Sequence, residues 1–168
     1  MKRKPRIYIE TSVVSYLTAR TSRDLILSAN QATTQAWWAE RHLFEPIVSD
    51  LVVFEAAKGD ALAAKLRLET LAELPLLAFS EAARELSLAL IDGLALPAKA
   101  VDDAYHVAIA AVHGLDFLAS WNCTHIVNPV TRSRIEKICR QCGYEPALIA
   151  TPQELFAIID MNLDFDRD

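Results

Sequence analysis

Glycine is scarce in this chain, which narrows the kinds of ligand that it could bind. Its 168 residues include only four glycines, at positions 59, 93, 114 and 143. Neither the G-x-G-x-x-G fingerprint of dinucleotide-binding folds nor the G-x-x-x-x-G-K-[ST] phosphate loop can be built from these positions. No serine lies in a G-x-S-x-G sequence, so serine acyl transfer of the α/β-hydrolase type is not expected either.

Long apolar runs and an excess of positive charge are also missing. No run approaches the roughly 20 residues of a membrane span, and Ile7–Ile9 is too short for a signal-peptide core of about 7–15 residues. We therefore expect one cytoplasmic domain over residues 1–160, with an acidic tail at 161–168. The net charge of −5 indicates that nucleic acid could not be held by charge alone, because phosphate neutralisation requires clustered Lys and Arg.

The three cysteines do not form the even-numbered framework of a secreted disulfide protein. Cys123, Cys139 and Cys142 would, together with His125, make up the ligand set of a Cys₃His zinc site. The alternative, which we favour, is that Cys139 and Cys142 are small apolar residues on the inner face of a helix, since they are spaced like Ile135 and Ile138.

Apolar strand patterns alternate with helical patterns along the whole chain. Strands are predicted at 6–10, 44–48, 76–79, 116–120 and 147–150. Helices are predicted from Thr11/Ser12, from Ser49/Asp50 and from Thr151, and over 24–41, 61–73, 81–91, 101–113 and 131–142. The apolar face predicted for the second helix comprises Leu25, Ala29, Ala32, Ala36 and Trp37. Repeated strand–helix units indicate an α/β fold, with a parallel sheet covered on both faces by helices.

Acidic and amide side chains follow the strands of this predicted sheet. Glu10 comes directly after the first strand and Asn122 after the fourth, while Glu55 and Asp103 lie on helices that can reach the same edge. Sites in such sheets form beyond the carboxyl ends of the strands. Clustered carboxylates favour Mg²⁺ or Mn²⁺, and such ions commonly assist phosphodiester hydrolysis.

Four segments, in this order, resemble the PIN-domain family and, more narrowly, the VapC-like ribonuclease toxins of toxin–antitoxin pairs. They are IYIETSVVSYL at 7–17, VVFE at 52–55, DAYHVA at 103–108 and DFLASWN at 116–122. The resemblance spans nearly the whole chain. It implies a three-layer α/β/α sandwich with a central parallel sheet of about four to five strands.

The resemblance also implies roles for particular residues. Glu10, Glu55 and Asp103 match the first three acids of the family, while Asn122 falls where many members have a fourth Asp. Asp116 matches an acid often found at the start of that strand. Ser12 matches the small hydroxyl residue that accompanies the first acid and orients it. Thr11, Ser12, Lys58 and Arg132 are predicted to contact the substrate, the last two through RNA phosphates. Two departures stand out, because Glu10 replaces the usual Asp and Asn122 removes one negative charge.

Most of these residues also have an alternative structural interpretation. Glu10 could cap the following helix, Glu55 could be solvated beside Lys58, and Asp116 could only hydrogen-bond at a strand end. Asp102 could be the acid of the site instead of Asp103, and His106 could be a packed residue instead of a general base. Trp121 could belong to the core or a lid instead of forming a base-stacking platform. A solvated helix face would equally explain the cationic residues Lys58, Arg132, Arg134 and Lys137.

The function that the resemblance implies is a metal-dependent endoribonuclease with Mg²⁺ or Mn²⁺ held by Glu10, Glu55, Asp103 and Asn122. It further implies a small antitoxin partner and a homodimer. The lack of a long apolar run predicts no membrane association. Two alternatives stay open. One is a PIN-fold binding module without catalytic activity, and the other is a nuclease that acts on DNA or another phosphodiester.

Overall fold

Five parallel strands form the centre of the protein. The structure is a computed structural model that describes residues 3–160. The strands are β1 (Arg6–Ile9), β2 (Glu45–Ser49), β3 (Leu76–Leu77), β4 (Phe117–Ala119) and β5 (Leu148–Ala150). They lie in the order β3-β2-β1-β4-β5, and every neighbouring pair is parallel. The predicted α/β class with a parallel sheet is therefore confirmed.

The middle strands are the most deeply buried part of the sheet. Ile7, Tyr8 and Ile9 of β1 and Leu118 and Ala119 of β4 have no exposed surface. Successive side chains of a strand point to opposite faces, so burial of adjacent residues means that both faces are covered. Near-continuous apolar strands of this kind are typical of parallel sheets between two layers of helices.

Within residues 3–160, eight helices flank the sheet. They are α1 (Thr11–Thr18), α2 (Leu25–Ala39), α3 (Asp50–Ala56), α4 (Ala61–Leu71), α5 (Glu81–Asp92), α6 (Val101–Val112), α7 (Pro129–Gln141) and α8 (Pro152–Asp160), with a 3₁₀ turn at Arg41–Leu43. Helix α1 packs against α2, α3 and α4, and α2 also packs against α8. Helix α5 packs against both α6 and α7.

Helix ends follow the capping chemistry of the sequence closely. Ser49 and Ser80 accept hydrogen bonds from Val52 N and Ala83 N at the starts of α3 and α5, as a side-chain oxygen at an N-cap does. Glu154 Oε2 accepts from Thr151 N, and Glu154 N donates to Thr151 Oγ1, which completes a capping box before α8. Gly114 has φ +60° just after α6, a conformation that favours glycine at a helix exit.

The predicted apolar face of α2 is wrong except at Trp37. Leu25 is 84% exposed, whereas the buried side chains of the helix are Gln31, Thr34 and Trp37. Gln31 is satisfied inside the fold, since its side chain accepts from Ser22 N and donates to Arg20 O. Packing of α2 against α1 and α8 decides its inner face, and polar residues can lie there because each finds a hydrogen-bond partner.

Among the helices within residues 3–160, none is long and apolar enough to cross a membrane. The acidic tail predicted at 161–168 lies outside the described residues.

Candidate metal centre

Glu10, Glu55 and His106 meet at the carboxyl edge of the sheet. Glu10 follows β1, Glu55 lies on α3 directly after β2, and His106 lies on α6. One ligand atom from each residue lies within 4.8 Å of the other two. Because β1 and β2 are parallel neighbours, chain segments that leave them end at the same edge. We refer to these three residues as the inner cluster.

Glu10 is held by groups that donate hydrogen bonds to its carboxylate. Its side chain caps α1 by accepting from Ser12 N at 3.1 Å, and it also accepts from the Ser12 hydroxyl. Ser120 Oγ, at the end of β4, donates to Glu10 Oε2 at 2.7 Å. The residue is only 6% exposed. The helix begins at Thr11, as predicted, and its N-cap is Glu10, the structural role that the sequence left open for this residue.

A chain of hydrogen bonds runs from Glu55 into the core. Glu55 Oε2 accepts from the Thr11 hydroxyl and lies 3.0 Å from His106 Nε2. His106 Nδ1 lies 2.7 Å from Tyr8 Oη, which is 2.7 Å from Ser49 Oγ. Both ring nitrogens of the buried His106 thus have a partner, as buried polar groups require.

The charges of the inner cluster shift the pKa values of His106 and Glu55 in opposite directions. Burial acts to lower the pKa of His106, but the hydrogen bond to Glu55 and the charges of Glu10, Glu55 and Asp103 outweigh it, so that this pKa is raised. Burial acts to raise the pKa of Glu55, but His106, the Thr11 hydroxyl and Lys58 lower it overall. Both shifts are those of a hydrogen-bonded ion pair, in which positive charge on His106 and negative charge on Glu55 stabilise each other.

Asp103 belongs to a second, half-exposed group beside the inner cluster. Its Oδ1 accepts from Asn122 Nδ2 at 2.9 Å, and its Oδ2 lies 2.7 Å from His125 Nδ1. Asn122 Oδ1 in turn accepts from His125 N at 3.1 Å. We call Asp103, Asn122 and His125 the outer cluster. Both carboxylate oxygens of Asp103 are engaged within it.

Two serines connect the clusters. Ser120 Oγ donates to Glu10 and accepts from Asn122 N at 2.9 Å, while Ser12 Oγ accepts from Trp121 N at 2.8 Å. The loop after β4, which carries Asn122, is thereby tied to the carboxylate after β1. The two clusters form one continuous polar edge.

Comparison with solved structures finds the same arrangement of elements. The chain is similar to VapBC2 from Rickettsia felis, whose crystal structure was determined bound to a DNA fragment from its promoter. The TM-score is 0.52 at 11% sequence identity, and the match covers 87% of this chain and 98% of the other. The chain has a PIN-like fold. No protein-family model matches the sequence, and no curated protein matches it either.

In this PIN-like fold, Asp116 does not join the other acids. It precedes β4 and lies at the amino edge of the sheet, where Arg6 N donates to its Oδ2 at 2.7 Å. The Arg3 guanidinium forms two hydrogen bonds of 2.9 Å with the same carboxylate. Glu10 and Asn122 follow their strands and lie at the opposite edge. Asp116 therefore takes the strand-end hydrogen-bonding role.

The two cationic residues expected to bind substrate have protein partners in this structure. Lys58 Nζ lies 4.2 Å from the centre of the Phe54 ring. Arg132 on α7 pairs with Glu154 at 3.2 Å. Phosphate binding by Lys58 and Arg132 stays a prediction.

Trp121 is held by two contacts within the protein. Its indole N–H donates a hydrogen bond to Thr34 Oγ1 at 2.8 Å, and its ring stacks on Tyr16.

The cysteine and histidine set does not come together as a zinc site. Within residues 3–160, the inner cluster is the one group of three His, Cys, Asp or Glu side chains close enough to share an ion. Cys139 is buried on α7, and burial raises the pKa of its thiol to about 12. Cys123 and Cys142 are exposed. The packing interpretation is confirmed for Cys139 but is wrong for Cys142, which follows the last turn of α7 and faces solvent.

Sequence reasoning missed how many neutral groups surround the acids. It treated His106 mainly as a packed residue, considered His125 only as a zinc ligand and Ser49 only as a helix start, and gave no role to Tyr8 or Ser120. The helical spacing of Asp103 and His106 was the one available signal, since residues three apart lie on one face of a helix. Contacts such as Tyr8 with His106 join residues 98 positions apart, which no local pattern reveals.

The donor set of this edge fits a divalent cation. Carboxylate oxygens of the buried Glu10 and the partly buried Glu55 converge with an imidazole nitrogen at ligand spacing. Each acid of this edge is also oriented by hydroxyl, imidazole or amide groups. Such outer hydrogen bonds orient metal ligands and tune their basicity. The arrangement could therefore hold an ion such as Mg²⁺ or Mn²⁺.

Proposed function

We propose that this protein is a metal-dependent ribonuclease of the VapC type. The observation that carries the proposal is the convergence of Glu10, Glu55 and His106 at the carboxyl edge of a PIN-like sheet. Glu10 caps α1 and Glu55 pairs with His106, but two carboxylates this close together repel each other, so their clustering supports a functional role. The proposed substrate is RNA, in accordance with the sequence resemblance.

In this proposal the chain's own residues have distinct tasks. Glu10 and Glu55 hold the cation, Ser12 and Ser120 fix the Glu10 carboxylate, and Thr11 fixes Glu55. Asp103 and Asn122 lie beside them and can orient water or add oxygen ligands. When bound, Mg²⁺ or Mn²⁺ would acidify a water molecule and stabilise charge developing on the phosphoryl group.

We extend the proposal to an antitoxin partner. VapBC2, the similar complex, is a toxin–antitoxin complex, and the sequence motifs resemble those of VapC-like toxins. A protein partner that covers the carboxyl edge would prevent access of RNA to the acids. Homodimerisation stays a prediction from the resemblance alone.

The proposal is tested by incubating purified protein with labelled single-stranded RNA and Mn²⁺, beside the variant Asp103→Asn. We expect Mn²⁺-dependent cleavage by the wild-type protein and a loss of at least about 100-fold in the variant, since metal-assisted charge stabilisation contributes several kcal/mol. The variant keeps the size of the side chain and its contact with Asn122, so a folding defect is not expected.

Two results would contradict the proposal. One is the absence of Mn²⁺-dependent cleavage, and the other is equal cleavage by wild type and Asp103→Asn, which would indicate a contaminating nuclease. A DNA strand of the same sequence, tested in parallel, distinguishes a ribonuclease from a nuclease that acts on another phosphodiester. Binding of RNA without cleavage would favour the non-catalytic binding module.

A further inference from the structure

His106 is more than a packed residue, because each of its ring nitrogens faces a group that can respond to a cation. Nε2 lies 3.0 Å from Glu55 Oε2, and Nδ1 lies 2.7 Å from Tyr8 Oη. The residue is 1% exposed, so bulk water does not compete for these positions. The position of the imidazole proton therefore depends on these two partners.

The Tyr8–Ser49 pair accommodates either tautomer of the neutral ring. In one arrangement Ser49 donates to Tyr8 and Tyr8 donates to His106 Nδ1, which leaves the N–H on Nε2 directed at Glu55. In the other, His106 Nδ1–H donates to Tyr8 and Tyr8 donates to Ser49, which leaves a lone pair on Nε2. The two neutral arrangements differ by a tautomer exchange and two hydroxyl rotations, and a cation that binds Nε2 of a protonated ring must displace the Nε2 proton to solvent.

The second arrangement places the Nε2 lone pair against a carboxylate. Two lone pairs 3.0 Å apart repel each other unless a cation lies between or beside them. Ligand atoms bound at about 2.1 Å to adjacent positions of one octahedral ion lie about 3.0 Å apart. The spacing of Nε2 and Oε2 therefore matches two neighbouring ligands of a single ion.

We infer that His106 Nε2 is a ligand of the metal in the inner cluster, together with Glu10 and Glu55, and that the site prefers Mn²⁺ to Mg²⁺. This inference rests on the metal site of the proposed function. It adds a nitrogen ligand to a site that the sequence assigned to oxygen atoms only.

Ligand chemistry explains the metal preference. Mg²⁺ strongly favours oxygen ligands, whereas imidazole suits transition ions better. A histidine that binds a metal through one nitrogen usually donates a hydrogen bond from the other, which fixes its tautomer and orientation. Tyr8 Oη is positioned as that acceptor. Ser49 Oγ can in turn accept a hydrogen bond from the Tyr8 hydroxyl.

The test uses pulsed electron paramagnetic resonance of Mn²⁺ bound to the full chain grown with ¹⁵N-histidine. The four histidines allow a matched pair of variants, His106→Gln and His125→Gln. We expect coupling to a directly bound histidine nitrogen in the wild type, its persistence in His125→Gln and its loss in His106→Gln. Calorimetric titration should show that the preference for Mn²⁺ over Mg²⁺ falls about tenfold or more in His106→Gln.

A third variant covers the case in which His106→Gln does not fold. Tyr8→Phe keeps the imidazole but removes the acceptor for Nδ1–H, so the nitrogen coupling should remain while Mn²⁺ binds about tenfold more weakly. Mn²⁺ bound to wild type without histidine coupling would overturn the inference. Coupling that disappears in His125→Gln but persists in His106→Gln would overturn it too.

The inference and the proposed function can fail separately. Mn²⁺-dependent RNA cleavage without nitrogen coupling would contradict the ligand role of His106 and leave the nuclease intact. Nitrogen coupling without cleavage would support the ligand role and contradict the nuclease. No binding of Mn²⁺ at millimolar concentration would contradict both.

Discussion

The two edges of the sheet use acidic residues in opposite ways. At the amino edge, Asp116 is neutralised by the Arg3 guanidinium and by the backbone N–H of Arg6. At the carboxyl edge, the partners of Glu10, Glu55 and Asp103 are hydroxyls, imidazoles, one side-chain amide and the backbone N–H of Ser12. The first arrangement is complete within the protein, whereas the second retains negative charge that a cation could bind.

Parallel topology explains why the acids gather at one edge only. The segments that leave β1, β2 and β4 all do so in the same direction, and so residues that follow those strands meet in space. An acid before a strand, such as Asp116, reaches the other edge. The position of an acid relative to its strand therefore decides its role more than its residue type does.

The largest effect is expected from Glu10→Gln. At a Mn²⁺ concentration of about 100 times Kd, binding stabilises the wild type by about 2.7 kcal/mol, which raises Tm by roughly 5–10 °C for a chain of this size. The variant should lose this shift, because a neutral amide binds the cation far more weakly than a carboxylate. Differential scanning fluorimetry with and without Mn²⁺ measures it.

Asp116→Asn is the matched control at the opposite edge, since it also exchanges a carboxylate for an amide. It should keep the full Mn²⁺-dependent shift. Equal loss of the shift in both variants would show that the metal is not bound at the carboxyl edge.

An intermediate effect is expected from Asn122→Asp. This substitution adds negative charge to the carboxyl edge and so increases its difference from the amino edge. The introduced carboxylate would face Asp103, and the added charge should tighten Mg²⁺ binding about tenfold, equivalent to about 1.4 kcal/mol. Without metal, repulsion between the two carboxylates should lower Tm. Calorimetric titration and metal-free melting test both parts, and unchanged affinity would exclude Asn122 from the metal environment.

The smallest effect is expected from Asp116→Asn on stability itself. The amide oxygen can still accept from Arg6 N, but the bond loses its charge assistance, which costs about 1 kcal/mol. The corresponding decrease in Tm is roughly 2–4 °C and should be the same with or without Mn²⁺. A decrease that depends on metal would contradict the structural role of Asp116.

Much of the fold could be predicted because the residues that start and end its strands and helices act locally. Strand β1 was predicted at 6–10 and lies at Arg6–Ile9, and α6 was predicted at 101–113 and lies at Val101–Val112. Caps and apolar runs of this kind act within a few residues. The face of α2 was wrong because Gln31 and Thr34 are buried by tertiary contacts and hydrogen bonds, which outweigh periodicity.

The candidate site was predictable only in its outline. Glu10 and Glu55 could be placed at one edge from strand order, since each comes shortly after a strand end. The partition into inner and outer clusters could not, because it depends on which side chain of α6 turns toward β1. His106 faces Tyr8 and Glu55, whereas Asp103 faces the loop after β4 with Asn122 and His125.

The most direct measurement is anomalous X-ray scattering from crystals of this protein grown with Mn²⁺. We predict one strong anomalous peak between the Glu10 and Glu55 carboxylates at the carboxyl edge, close to His106 Nε2. A peak at Asp116 or elsewhere, or no peak in crystals that hold Mn²⁺ well above millimolar concentration, would contradict the claim that this edge of the sheet is a metal centre.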